Sequence, residues 1–270
     1  MEKKRILIVT QEMGPYLIES SVSKITSGLP QHIFSNSMDV RVLMPRFGNI
    51  NERRNRLHEV VRLSGINISV GDEDYPLIIK VASLPGIRLQ VYFLDNEELF
   101  ERKAVFRDKK NQFFSDNEER MIFFCKGVVE TVRKFGWPPH IIHCHGWMTS
   151  LIPYYLKTQY KDDPVFRHTK VIYSVYENEF EESLSKEFPR KVVSSNHERK
   201  AELKYYDKAN NTALNLGGTA YSDAVIIGSK KIAREVSALI SKNGKPVLQY
   251  QPEDSYKEAY QKFYQSLLKK

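Results

Sequence analysis

The sequence predicts an α/β protein built on a single doubly wound parallel sheet, with an antiparallel hairpin insertion and a helix closing the C-terminal end. Three observations carry that expectation. Short β-branched runs alternate with amphipathic helical stretches along most of the chain, the pattern of repeated strand–helix–strand units. Residues 59–94 break the alternation with several short apolar–polar runs separated by turn signals. The last residues hold a helical repeat of large apolar side chains.

Taken in order, Lys4–Thr10 reads as the first strand and Ser20–Leu29 as a modest helix ended by Pro30. Asp39–Met44 is the second strand, stopped at Pro45. Val60–Leu63, Ile66–Val70, Ile78–Ser83 and Leu89–Leu94 read as hairpin strands, with turns at Gly65, Gly71-Asp72 and Pro85-Gly86. Asp116–Phe135 is a helix, because Met121, Cys125, Val128, Val129 and Val132 recur at spacings of three and four. Gly136 ends it and Pro138-Pro139 prevent its continuation. Strand His140–Cys144, helix Met148–Tyr160 and strand Lys170–Val175 follow. The charged stretch from Glu177 to Arg199 reads as a loop with room for a helix whose bounds the pattern does not fix, and Glu198–Leu216 as a helix stopped by Gly217-Gly218. Strand Ala224–Ile227, helix Lys230–Ser241 and strand Val247–Tyr250 complete the alternation. In the last helix Tyr256, Ala259, Tyr260, Phe263, Tyr264, Leu267 and Leu268 line one face, and Ser255 with Glu258 forms a capping box. That much aromatic area must dock on something, and the rest of the same chain is the expected surface.

Composition narrows the function classes. Hydrophobic residues make up 41% and charged residues 27%, enough apolar material for a core and too much for a disordered chain. No apolar run reaches the ~18 residues of a membrane helix, so no membrane partner is expected. The start, Met-Glu-Lys-Lys-Arg, lacks a signal-peptide pattern, and the expected location is cytoplasmic. Cys125 and Cys144 provide neither a disulfide framework nor a cysteine zinc site. The net charge of +8 is spread along the chain; its densest stretch, Asn51–Arg56, lacks interleaved aromatics, so no specific nucleic acid is expected.

Ligands of such sheets bind beyond the carboxyl ends of the strands. The first such loop, Thr10–Ser21, has one glycine and neither a dinucleotide-binding nor a Walker pattern. Ser20 and Ser21 either cap the next helix or touch a phosphate, and capping is the commoner role. His143 and His145 share one face of their strand, but no third ligand at a usual spacing accompanies them, so no metal is expected. Cys144 points to the other face as a small apolar group. His145 and Trp147 at the strand end suit either the wall of a ligand cleft or satisfied groups of the core. No nucleophile elbow, carboxylate dyad or cofactor motif is present, so no cofactor is expected.

Several segments together resemble a known family. Arg5-Ile-Leu-Ile-Val-Thr-Gln-Glu-Met-Gly-Pro15, Gly28-Leu-Pro30, Val40-Arg-Val-Leu-Met-Pro45, Ser115-Asp-Asn-Glu-Glu-Arg120, Ile141-Ile-His-Cys-His-Gly-Trp147 and Tyr221–Ser229 followed by Ala233-Arg234-Glu235 are similar, in order, to the N-terminal half of bacterial glycogen and starch synthases. The resemblance implies two Rossmann-like domains in the GT-B arrangement and glucosyl transfer from ADP-glucose or UDP-glucose to an α-1,4-glucan. It also implies an acceptor-handling N-terminal domain and a donor-binding C-terminal one. The match consumes the chain to about residue 245, and the remaining 25 or so residues cannot build a second domain of ~150. The expected division is therefore an acceptor-side domain over 1–250 and a packed helix over 251–270, without a donor-binding half.

Three departures from the family pattern concern ligand contacts. The Lys-x-Gly-Gly-Leu signature reads Ile18, Ser20, Ser21 and Val22 here, which removes a positive charge and two glycines. His-Asp-Trp reads His145-Gly146-Trp147, without the carboxylate. Thr-(Val/Ile)-His-Asn aligns with Ser174-Val175-Tyr176-Glu177, so Tyr176 stands at the histidine and Asn178 lies one residue beyond the asparagine. No catalytic residue is assigned, and the expectation is a pseudoenzyme-like chain without stand-alone transferase activity. The ligand-binding candidates are Glu12, Ser20, Ser21, Asp116, Asn117, His143, His145, Trp147 and Asn178. The implied partners are an α-glucan and either a separate donor-binding domain or a synthase. The alternative is a non-catalytic glucan-binding or regulatory protein of glycogen metabolism.

Overall fold

A computed structural model describes residues 3–35, 38–193 and 200–269. The strands are β1 Arg5–Thr10, β2 Asp39–Pro45, β3 His58–Glu59, β4 Ile66–Val70, β5 Glu73–Ser83, β6 Gln90–Asp95, β7 Ile141–His145, β8 Lys170–Val175, β9 Ala224–Ile227 and β10 Val247–Leu248. They form a sheet in the order β10-β9-β8-β7-β1-β2-β6-β5-β3, with β4 paired to β5. From β10 to β6 all neighbours are parallel; β3, β5 and β6 pair antiparallel, as does the β4–β5 hairpin. The chain winds outward from β1 through β2 to the insertion, then returns to β7 on the other side of β1. That reversal leaves a crevice at the carboxyl ends of β1 and β7, where Thr10 lies beside His145 and His145 beside Ser174.

The helices are α1 Ser21–Ser35, α2 Glu52–Asn55, α3 Glu97–Phe100, α4 Asn117–Phe135, α5 Leu151–Lys157, α6 Phe188–Val192, α7 Asn211–Tyr221, α8 Arg234–Lys242 and α9 Tyr256–Leu268. α4 presents its predicted apolar face to the core, where Met121, Cys125, Val128, Val129 and Val132 are buried, and Gly136 ends it in the left-handed region. α9 has the predicted bounds and lies across α1. Gly28 allows that approach: a Cβ there would lie 2.4 Å from the Tyr256 hydroxyl oxygen.

Several sequence expectations are corrected. Pro30 does not end α1, which continues to Ser35. Burying Leu29 and Ile33, at ~1.5–3 kcal/mol each, offsets the ~3 kcal/mol that an internal proline costs. Val60–Leu63 is a turn, closed by the Leu63 N–H to the Val60 carbonyl at 2.9 Å, and the short strand precedes it. The strand expected at His140–Cys144 sits one residue later, which makes His145 its last member. Met148–Tyr160 splits into a 3-10 turn, Trp147–Thr149, and the short α5. Lys230–Ser241 is helical only from Arg234, and the last strand ends at Leu248.

Glu198–Leu216 fails most plainly. Residues 194–199 lie outside the described residues, Lys200–Leu203 is a 3-10 turn, and α7 runs straight through Gly217-Gly218. Those glycines make room rather than stop a helix: a Cβ at 217 would lie 2.0 Å from Tyr206 Cζ, and one at 218 would lie 2.7 Å from Tyr173 Cζ. The capping box at Ser255 does not form, since the Ser255 hydroxyl donates to the Pro252 carbonyl at 3.4 Å. Among the described residues no helix is long and apolar enough to cross a membrane.

Candidate functional site

The loops after β1, β7 and β8 converge on the crevice, joined by the segment 105–113. Gln11, Glu12, Glu19, Ser20, Trp147 and Glu179 meet Val105, Phe106, Arg107, Asn111, Phe113 and Phe180 around a cleft of about 480 Å³. A second cleft of about 510 Å³ shares Phe180 and is lined by Asn178, Asn210, Asn211, Thr212 and Lys231 among others.

The loop after β1 folds around its own carboxylate. Buried Glu12 accepts the backbone N–H of Glu19 at 2.7 Å and of Ser20 at 2.8 Å, and the Ser20 hydroxyl as well. Ser20 Oγ in turn accepts the Val22 N–H at 3.1 Å, the capping role that the sequence favoured. The Ser20 amide, which a phosphate contact would require, is therefore spent on Glu12. Ser21 is the first residue of α1 and Ile18 is 69% exposed.

The loop after β7 supplies an aromatic wall. Trp147 is buried, with its ring 4.9 Å from Phe106, 5.0 Å from Phe180 and 6.2 Å from Phe113. Phe113 stacks on Phe180 at 4.8 Å. Arg107 lies over Phe113 and donates to both carboxylate oxygens of Glu182, at 2.6 and 2.8 Å. That bidentate pair clamps the 105–113 segment to the loop after β8 and neutralises the cation at the rim.

His143 and His145 form a closed relay behind the wall. His143 Nδ1 lies 2.6 Å from the Tyr264 hydroxyl and 3.0 Å from His145 Nε2; His143 Nε2 lies 2.7 Å from Ser174 Oγ; His145 Nδ1 lies 2.8 Å from the Tyr176 hydroxyl. Two arrangements of protons, running in opposite directions, serve these contacts, and in each His143 Nδ1 is shared between Tyr264 and His145. Either Tyr264 and His145 Nε2–H share the one lone pair of His143 Nδ1 while His143 Nε2–H donates to Ser174 and Tyr176 donates to His145, or every direction is reversed and a shared His143 Nδ1–H serves Tyr264 and His145. Both rings are then neutral. Burial, and next the neighbouring His145, pushes the His143 pKa well down, while burial alone pulls His145 down to about 3. Gly228 makes room for Tyr176, since a Cβ there would lie 2.6 Å from its ring. Among the described residues no group of three His, Cys, Asp or Glu side chains is placed to hold a metal ion.

Other sequence candidates lie apart from the cleft. Asn117 is buried, donates to the Phe106 carbonyl at 2.9 Å and accepts from Arg120 at 2.8 Å. Arg120 also donates to the Val105 carbonyl at 2.5 Å, and Asp116 pairs with Arg102. These residues position the segment that bears Phe106 rather than lining the cleft. Asn178 reaches the second cleft, where it donates to Thr212 Oγ1 at 2.9 Å.

Sequence reasoning missed Gln11, Phe106, Phe113, Phe180 and Glu179. The signal was slight: Phe106 and Phe113 flank the polar stretch 107–112, and Phe180 stands alone within the polar stretch 177–183. Glu179 is the most perturbed of these groups. Burial, with nearby Glu12 adding to it, raises its pKa to about 8 against the opposing effect of the Gln11 amide, which donates to Glu179 Oε2 at 2.6 Å.

Comparison with known proteins agrees on one family. The starch synthase catalytic domain family matches residues 5–247. Glycogen synthase of Chlorobium limicola is 33% identical over 233 residues, 86% of this chain and 47% of that protein. Glycogen synthase of Chlorobium chlorochromatii is 38% identical over 173 residues, 64% of this chain and 35% of that protein. The chain thus spans about half the length of the curated relatives it matches. Among solved structures, the catalytic domain of starch synthase IV from Arabidopsis thaliana bound to ADP and acarbose superposes with a TM-score of 0.74 at 16% identity. That superposition covers 94% of this chain and 53% of the other, and it supports the fold.

Proposed function

Because the chain belongs to the starch synthase catalytic domain family, we propose that residues 1–250, closed by α9, form the glucan-binding side of a glucosyltransferase of that family. One observation carries the reading: an aromatic wall of Phe106, Phe113, Trp147 and Phe180 faces Gln11, Glu12, Ser20, Asn111 and Glu179 across a single cleft. Sugar rings offer apolar C–H faces to aromatic surfaces and a rim of hydroxyls to polar side chains, so this lining suits an α-glucan.

A phosphate-bearing donor finds less here. Ile18 stands at the family's lysine, Glu12 occupies the Ser20 N–H, and Arg107 is held by Glu182. Glucosyl transfer from ADP-glucose then depends on a donor-binding half, in whatever chain it resides, and residues 1–270 alone transfer no glucose. The same contacts suit a non-catalytic glucan-binding or regulatory role, in which a synthase is the partner.

Calorimetric titration tests the core of this reading. Maltoheptaose is expected to bind and ADP-glucose to show no measurable heat; the reverse pattern overturns it. Incorporation of ADP-[14C]glucose into glycogen separates the two roles. Activity that appears only when a donor-binding half is added supports the transferase, and none in any pairing supports the regulatory protein.

A further inference from the structure

We propose that Glu179 is the ligand-binding carboxyl of the aromatic cleft, seated by Gln11 in the space left by the absent side chain at position 146, and that it engages a hydroxyl of a neutral sugar. The proposal rests on the glucan reading above and names the group that recognises the glucan.

The geometry starts at Gly146, whose φ of +82° and lack of a Cβ belong together. A Cβ at that position would lie 2.3 Å from Gln11 Oε1 and 2.6 Å from Gln11 Cδ, so no side chain at 146 coexists with Gln11 as placed. Gln11 is buried and its amide is oriented from both ends. Oε1 accepts the Met148 N–H at 3.4 Å, and Nε2 donates to Glu179 Oε2 at 2.6 Å. The loop after β8 thus delivers a carboxyl to the crevice, and glycine at 146 is the condition for seating it.

Glu179 has a free valence for a ligand. Among the described residues, its Oε1 has no hydrogen-bond partner, and the residue lines the cleft beside Trp147 and Phe180. Glu12 contrasts with it, since donors of its own loop engage both of its oxygens. The titratable and charged groups around Glu179 are Glu12 and Glu19 from the loop after β1, the buried phenols of Tyr173 and Tyr176, and Arg107, which Glu182 neutralises. Raised to about 8 by burial, Glu179 is mostly a neutral acid at physiological pH, able to donate to one sugar hydroxyl and accept from another. A sugar covering the cleft removes water and disfavours the ionised form further. Affinity is therefore greatest below about pH 8 and falls as pH rises through that value.

The test is maltoheptaose binding by full-length wild type, Glu179→Ala and Glu179→Gln, with thermal melting of each. Wild-type affinity should fall about tenfold between about pH 6.5 and about pH 9.5. Glu179→Ala should weaken binding about tenfold or more at about pH 6.5 while the variant still melts cooperatively. Glu179→Gln, which mimics the neutral acid, should stay within about twofold of wild type at about pH 6.5 and lose the pH dependence. Wild-type affinity in the alanine variant, or an unchanged pH profile in the glutamine variant, overturns the assignment. A wild type that binds no maltoheptaose at any pH overturns the glucan reading itself, and this proposal with it.

Discussion

Two polar clusters occupy the same end of the sheet, and they differ in how many of their hydrogen-bonding valences are spent. In the relay behind the wall, Tyr264, His143, Ser174, His145 and Tyr176 match donor to acceptor at each contact and lie buried. In the cleft, Glu179 has one donor and a spare oxygen, and aromatic faces stand beside it. Histidine at a strand end looks like chemistry in a sequence, but in this protein the histidines hold α9 to β7. A buried network with no spare valence stabilises a fold, whereas spare valences next to apolar walls suit a ligand.

The largest effect should come from removing the relay's outer partner. Deleting residues 252–270 strips Tyr256, Tyr260 and Tyr264 from the body of the protein and leaves His143 without its phenol. Each tyrosine buries apolar area worth ~1.5–3 kcal/mol, against a total stability of about 5–15 kcal/mol for a domain. The truncated protein should melt far below the full chain and bind a hydrophobic dye. Melting like the full-length protein would show that the relay is not structural.

Acid should come next. Both relay histidines have pKa values depressed in the fold, so the unfolded chain binds more protons wherever pH lies between the folded values and the ordinary one near 6.5. Their contribution is complete above about pH 6.5 and is lost progressively as pH falls towards about 3. Two such histidines amount to about 3 kcal/mol lost between about pH 6.5 and about pH 5. Urea unfolding across that range measures it, and replacing both by glutamine should flatten the slope.

Much of the fold was legible because local chemistry decides it. β8, β9 and α9 have the bounds that their β-branched runs and aromatic repeat suggest. Gly217 and Gly218 misled because their role is set by Tyr206 and Tyr173, distant in sequence, and the same holds for Pro30 in α1. Within the site, Trp147 and Glu12 could be picked from motifs, and both are in the cleft. Asp116 and Asn117 could not be told from ligand contacts, since holding the Phe106 carbonyl is a property of tertiary structure. Glu179 was invisible among the glutamates of 177–187 until Gln11 and Gly146 were placed beside it.

A gentler cut at the relay is Tyr264→Phe, which keeps the ring and removes only the hydroxyl hydrogen-bonded to His143 Nδ1. His145 Nε2 still reaches that nitrogen at 3.0 Å, so the cost should be about 1 kcal/mol. Denaturant unfolding reads that loss, and maltoheptaose affinity should stay within about twofold, because the cleft retains its lining. A large drop in affinity with little change in stability would mean that the relay belongs to the binding site after all.

The converse substitution is Phe113→Ala. Its ring is half-buried, stacks on Phe180 at 4.8 Å and carries Arg107 on its face, so part of its area faces the cleft instead of the core. Removing it should weaken maltoheptaose binding by about five- to tenfold, the ~1 kcal/mol scale of one aromatic contact. Stability should change by less than about 1 kcal/mol, since much of that surface is already open to water. The pair of variants then makes opposite demands: Tyr264→Phe moves stability and spares binding, and Phe113→Ala moves binding and spares stability. If both move the same quantity, the two clusters are one energetic unit, and the distinction between spent and spare valences does not separate fold from function in this protein.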